Sequence, residues 1–129
     1  FSKRVEWRDQ FEQNIINTIP GTIVLGKKKP RLWNTSMILL PEFDNLSWIG
    51  KLDKRGISVS TGSACSVGDV LNSSLVSSMG LSLKEAGRLV RISSYSEEKE
   101  SDWQSLDLAF SHVFQELKEE ASRSSIISL

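Results

Sequence analysis

The sequence predicts an α+β domain, with a three- or four-stranded sheet covered on one face by the first and last helices. Two observations carry this expectation. Apolar residues recur at helical spacing near both ends of the chain, and between them lie short apolar runs bounded by Pro and Gly, the pattern of buried strands. The 129 residues suffice for one hydrophobic core but not for two domains of ordinary size.

Each element has its own signal. Trp7, Phe11, Ile15, Ile16 and Ile19 share a helical face, and Pro20-Gly21 ends that helix. Thr22 to Leu25 is a short strand, followed by the basic turn Gly26-Lys27-Lys28-Lys29-Pro30. Ser36 to Leu40 is a largely apolar run stopped by Pro41, so it reads as a buried strand. Asp44 caps a helix carrying Leu46, Ile49 and Leu52, which Gly56 closes before a strand from Ile57 to Val59. Ser82 and Glu85 have the spacing of a capping box, opening a one-turn helix ahead of the strand Leu89 to Ser93. Ser101 and Gln104 repeat that signal, and Trp103, Leu106, Phe110, Val113, Phe114 and Leu117 form the apolar stripe of a long last helix. Beyond Glu120 the pattern fades, and residues 121–129 read as a frayed tail.

Composition narrows the function. Sixteen basic and sixteen acidic residues give a formal net charge of zero, so nothing in the totals favours a polyanion, and nucleic acid is not an expected partner. No apolar run approaches the ~20 residues of a membrane span, and Phe1-Ser2-Lys3-Arg4 lacks the apolar stretch of a signal peptide. The single cysteine cannot form an internal disulfide, which suits a reducing compartment, so a cytoplasmic location is expected. No metal-ligating set is assigned.

Two residues stand out chemically. Cys65 sits in Ser58-Val59-Ser60-Thr61-Gly62-Ser63-Ala64-Cys65-Ser66-Val67-Gly68, a small, polar, glycine-rich run that suits a reactive thiol on a mobile surface segment. Unpaired cysteines often pack as small hydrophobes, but from Ser60 to Ser66 no large apolar side chain helps to build such a core position. Arg91 interrupts the apolar strand Leu89-Val90-Arg91-Ile92-Ser93, facing away from Val90 and Ile92. A guanidinium there needs a partner. It suits either a substrate carboxylate or an internal salt bridge to one of the acidic residues.

Val59-Ser60-Thr61-Gly62-Ser63-Ala64-Cys65-Ser66, preceded by Leu52-Asp53-Lys54-Arg55-Gly56-Ile57 and followed by Met79-Gly80-Leu81 and Val90-Arg91-Ile92-Ser93, resembles the C-terminal part of a cysteine desulfurase of the NifS/IscS type, in the class V aminotransferase family. Pro20-Gly21-Thr22 and Pro30-Arg31-Leu32-Trp33-Asn34-Thr35 extend the resemblance, which runs from about Arg8 to about Phe114. It implies that residues 1–120 form the small C-terminal domain of a fold-type I pyridoxal phosphate enzyme. The larger, cofactor-binding domain would lie outside this chain, which begins at Phe1 and reads as part of a longer protein.

By the same resemblance, the full-length protein would convert L-cysteine to L-alanine, with the sulfur captured as a persulfide on Cys65 for iron-sulfur cluster assembly or another sulfur-transfer pathway. Arg91 would bind the substrate carboxylate. The implied partners are L-cysteine and a sulfur-acceptor or scaffold protein, and the full-length protein would be a homodimer. Pyridoxal 5'-phosphate would be held by the large domain. The family's Schiff-base lysine, ring-stacking histidine and pyridine-pairing aspartate all lie upstream of the matched segment, so none is carried over. Lys27, Lys28 and Lys29 read as a solvated, charged turn, Lys51 and Lys54 stand at the end of a short helix, and His112 reads as a surface or half-buried helix residue. Alone, the chain is expected to be inactive, with apolar patches left uncovered around Trp7, Trp33 or Trp48.

The chain departs from the family pattern at Ser94-Tyr95-Ser96-Glu97, where Leu-Gly-Arg-Phe is common, and at Asn72 and Trp33, where Pro is usual. These departures bear on the shape of the substrate pocket and the subgroup. Two other readings are a non-enzymatic persulfide carrier or acceptor-docking module, and another class V aminotransferase, for which a thiol in the Gly-Ser-Ala-Cys loop has no use.

Overall fold

The computed structural model describes residues 2–25, 35–60, 80, 82–93 and 99–127. In chain order these form α1 (Ser2–Thr18), β1 (Ile23–Leu25), β2 (Thr35–Leu39), α2 (Asn45–Lys54), α3 (Leu83–Ala86), β3 (Leu89–Ser93) and α4 (Glu100–Ile127). The three strands make one antiparallel sheet in the order β1-β2-β3, with Ile23 opposite Leu39 and Met37 opposite Arg91. The expected α+β architecture is therefore present.

The strands sort their side chains by alternation. Ile38 of β2 and Val90 and Ile92 of β3 point into the main core, where they meet Phe11, Ile15 and Ile19 of α1, Trp48 and Leu52 of α2, and the α4 stripe from Trp103 to Leu117. Aromatic rings fill its centre. Phe110 stands edge-on to Phe11 at 5.6 Å between ring centroids and stacks on Trp48 at 5.3 Å, so one α4 residue joins α1 to α2. The opposite sheet face carries a smaller cluster of Leu39, Leu89 and Ala86, edged by Leu25 and Met37. Neither α1 nor α4 contributes to that cluster.

Local signals explain the element ends. The Asp44 side chain accepts from the backbone N–H of Ser47 at 2.7 Å, capping α2. At the other end Gly56, at φ +80°, lets the Ile57 N–H reach the carbonyl of Leu52 and the Gly56 N–H that of Asp53. Ser82 and Glu85 exchange both bonds of a capping box. Fully buried Asn45 then locks α2 to the turn before β3, its amide donating to the carbonyls of Ala86 and Leu89 while its own N–H binds that of Gly87.

Three expectations are corrected. The Ser101 and Gln104 pair does not open the last helix: α4 begins at Glu100, and the Asp102 carboxylate accepts from the Lys99 N–H at 2.8 Å. An acid three residues into a helix stabilises its positive end, so Asp102 outcompetes the weaker pair. The same helix continues to Ile127, past the frayed tail expected from residue 121, because the stretch after Glu120 holds no Gly or Pro to break it. Trp48, expected among exposed residues, is fully buried in the aromatic stack. Trp7 is half-buried, and Trp33 lies outside the described residues.

Candidate functional site

Arg91 occupies the middle of β3, half-buried, on the sheet face turned away from α1 and α4. Its cross-strand neighbour on β2 is Met37, and Leu39 and Leu89 form the apolar floor nearby. Among the described residues no carboxylate pairs with this guanidinium; the ion pairs present are Arg8 with Asp9, Lys51 with Glu116 and Glu120, and Arg55 with Glu116. A guanidinium fork has the geometry to bind a carboxylate with two parallel hydrogen bonds.

The other edge of β3 meets the chain leading to Cys65. The Arg91 N–H donates to the Ser60 carbonyl at 2.6 Å, and the Ser60 N–H donates back to the Arg91 carbonyl at 3.1 Å, an isolated antiparallel bridge. Ser60 precedes Cys65 by five residues, a tether whose full extension is about 18 Å. The root of this segment is anchored by Ile57 and Val59, which pack against the main core after the Gly56 turn. Sequence reasoning proposed Arg91 and Cys65 but missed the bridge, since alternation within a strand says nothing about which backbone lies along its edge. Cys65 itself, Asn34 and the basic run Lys27-Lys28-Lys29 lie outside the described residues.

The described lysines do not suit a pyridoxal Schiff base, which needs a desolvated amine poised to lose its proton. Lys51 holds Glu120 at 2.5 Å and Glu116 at 3.5 Å, and the bond to Glu120 chiefly raises its pKa, the wrong direction for that role. Lys3, Lys54, Lys84, Lys99 and Lys118 are exposed. His112 is exposed on α4, its Nδ1 3.4 Å from Arg55. Arg55 also holds Glu116, and that bond is the main cause of the lowered Glu116 pKa. This charged cluster ties α2 to α4 on the far side of the sheet from Arg91. None of the described lysines is therefore placed to form the cofactor's Schiff base. No group of His, Cys, Asp and Glu among the described residues is arranged to hold a metal ion.

On the helical side, a groove of about 780 Å³ runs between the 55–59 segment and α4, floored by Ile57, Val59, Ile92, Trp103, Leu106 and Ala109. Exposed Leu108 stands on its rim.

Comparison with solved structures defines the class first: the fold is that of a NifS-like protein. The chain superposes on the NifS-like protein of Rickettsia africae with a TM-score of 0.72, covering 88% of this chain and 28% of that one at 23% identity. A second NifS-like protein gives a TM-score of 0.71 at 18% identity, over 87% of this chain and 27% of that one. The sequence comparison is more particular. The chain is 31% identical over 100 residues to a cysteine desulfurase of Enterobacter agglomerans, covering 76% of this chain and 25% of the relative. It is 35% identical over 97 residues to cysteine desulfurase 2 of Trichormus variabilis, and 33% identical over 97 residues to the cysteine desulfurase NifS of Azotobacter vinelandii, each covering 74% of this chain and 24% of the relative. No family model matches. The chain is a relative of the C-terminal small domain of NifS/IscS-type cysteine desulfurases, and it spans about a quarter of the length of the curated relatives it matches.

Proposed function

We propose that this chain is the sulfur-capturing domain of a pyridoxal phosphate-dependent cysteine desulfurase. The observation that carries this reading is the backbone bridge between Arg91 and Ser60, which ties a substrate anchor to the root of the cysteine segment on one edge of one strand. Arg91 binds the α-carboxylate of L-cysteine. The Cys65 thiolate takes the substrate sulfur: the bond between substrate carbon and sulfur breaks, a sulfur–sulfur bond forms on Cys65, and the carbon leaves as the methyl group of alanine. Atoms balance as one thiol plus cysteine giving one persulfide plus alanine, so no external oxidant enters.

The cofactor supplies the electron withdrawal that weakens the carbon–sulfur bond, and it is held by a larger domain outside this chain. The small residues around Cys65 keep the cost of carrying a persulfide to an acceptor or scaffold protein low. The whole protein works as a cytoplasmic homodimer; no helix among the described residues is long and apolar enough to cross a membrane.

The test assays the full-length protein for alanine and sulfide from L-cysteine, beside Cys65→Ser and Arg91→Ala variants. Loss of activity in Cys65→Ser supports the reading, and full activity there overturns it. Turnover of another amino acid without any need for Cys65 would favour an aminotransferase.

A further inference from the structure

The seam between α1 and α4 contains a small pocket of about 70 Å³, lined by Trp7, Gln10, Phe11, Asn14 on one helix and Glu100, Trp103, Gln104 and Asp107 on the other. Polar groups run towards it in sequence. The Gln10 amide donates to Asn14 Oδ1 at 2.8 Å, and Asn14 Nδ2 donates to Asp107 Oδ2 at 2.9 Å. The relay stops there. Asp107 Oδ1 is buried with no protein partner, and so is the indole Nε1 of Trp103, a side chain only 4% exposed. Trp103 and Asp107 are four residues apart on α4, so they share a face one turn from each other.

One orphan is a donor and the other an acceptor, and leaving either unmet is destabilising. A cation would satisfy only the carboxylate and an anion only the indole. A group lying between the two would accept from the indole and donate to the carboxylate, and the pocket has room for water. We infer that this pocket is a structural hydration site, in which water accepts from Trp103 Nε1–H and donates to Asp107 Oδ1. The exposed amides of Gln10 and Gln104 at the pocket's edge offer further partners. Water thereby completes the hydrogen-bond relay that joins the two long helices behind the sheet.

A crystal structure of the protein tests this directly. The expected result is a solvent peak within about 3.2 Å of both atoms. A double-mutant cycle with Trp103→Phe and Asp107→Leu should show coupling of about threefold or more in the unfolding equilibrium constant. A dry pocket, or a rotated Trp103 bonded directly to protein, overturns the inference. So does strict additivity in the cycle. If the variants do not fold, the density of the unaltered protein decides alone.

Discussion

Arg91 and Asp107 show how a single side chain's surroundings set its task. Arg91 lies on the sheet face of Leu39 and Leu89 with no ion pair among the described residues, and the proposed function gives its fork to the substrate carboxylate. Replacing it by Ala in the full-length enzyme should raise KM for L-cysteine by about 10- to 100-fold, the value of one charge-assisted pair, with a smaller change in kcat. Steady-state kinetics checks this, and Lys should rescue poorly because a point charge lacks the two-pronged geometry. Asp107 has its pKa raised, chiefly by burial and only partly offset by the bond from Asn14. The folded state therefore holds that proton more tightly than the unfolded chain. The associated stability is fully present below the ordinary carboxyl range and is lost as pH rises through the raised value. Asp107→Asn removes the titrating group, so thermal unfolding should show a flatter pH dependence just above the ordinary carboxyl range. An unchanged pH profile would show that burial of Asp107 is not what couples stability to protons.

At the scale of elements, the cysteine segment depends on how α2 ends. Gly56 at φ +80° closes the helix, and four residues on, Ser60 bridges to Arg91 on the edge of β3. An Ala there must adopt a left-handed backbone that costs about 1–2 kcal/mol, and because nothing lies within 4 Å of the added Cβ, the cost is conformational alone. Gly56→Ala should lower the urea midpoint accordingly, measured by fluorescence of the buried tryptophans. Phe110→Ala should cost more, about 3–5 kcal/mol, since that ring contacts both Phe11 and Trp48. Much of this scale was legible in the sequence. The apolar spacing of α1 and α4, the Asp44 cap and the Ser82 and Glu85 box all rest on interactions within a few residues, which sequence spacing reports. The Ser60 bridge, the Asn45 lock and the buried Glu12, whose carboxylate accepts from Ser36 Oγ at 2.6 Å, join residues far apart in the chain. Local pattern carries no trace of them. The start of α4 was missed for another reason: two capping signals overlapped, and the acidic one prevailed.

For the whole molecule, the proposed function divides labour between this domain and a cofactor-binding one. The described residues hold Arg91, the proposed carboxylate anchor, bridged to the root of the cysteine segment, and among them no lysine is suited to the cofactor. The chain expressed alone with added pyridoxal phosphate should therefore produce neither alanine nor sulfide from L-cysteine. It should also sediment as a monomer or associate only weakly. The central claim is that Cys65 receives the sulfur, and the most direct measurement is mass spectrometry of the full-length enzyme after one turnover with L-cysteine. The account predicts one added sulfur atom on the peptide containing Cys65, removed by a thiol reductant and absent from Cys65→Ser. Alanine formed at the normal rate with no sulfur on that peptide, or undiminished sulfide release by Cys65→Ser, would contradict it.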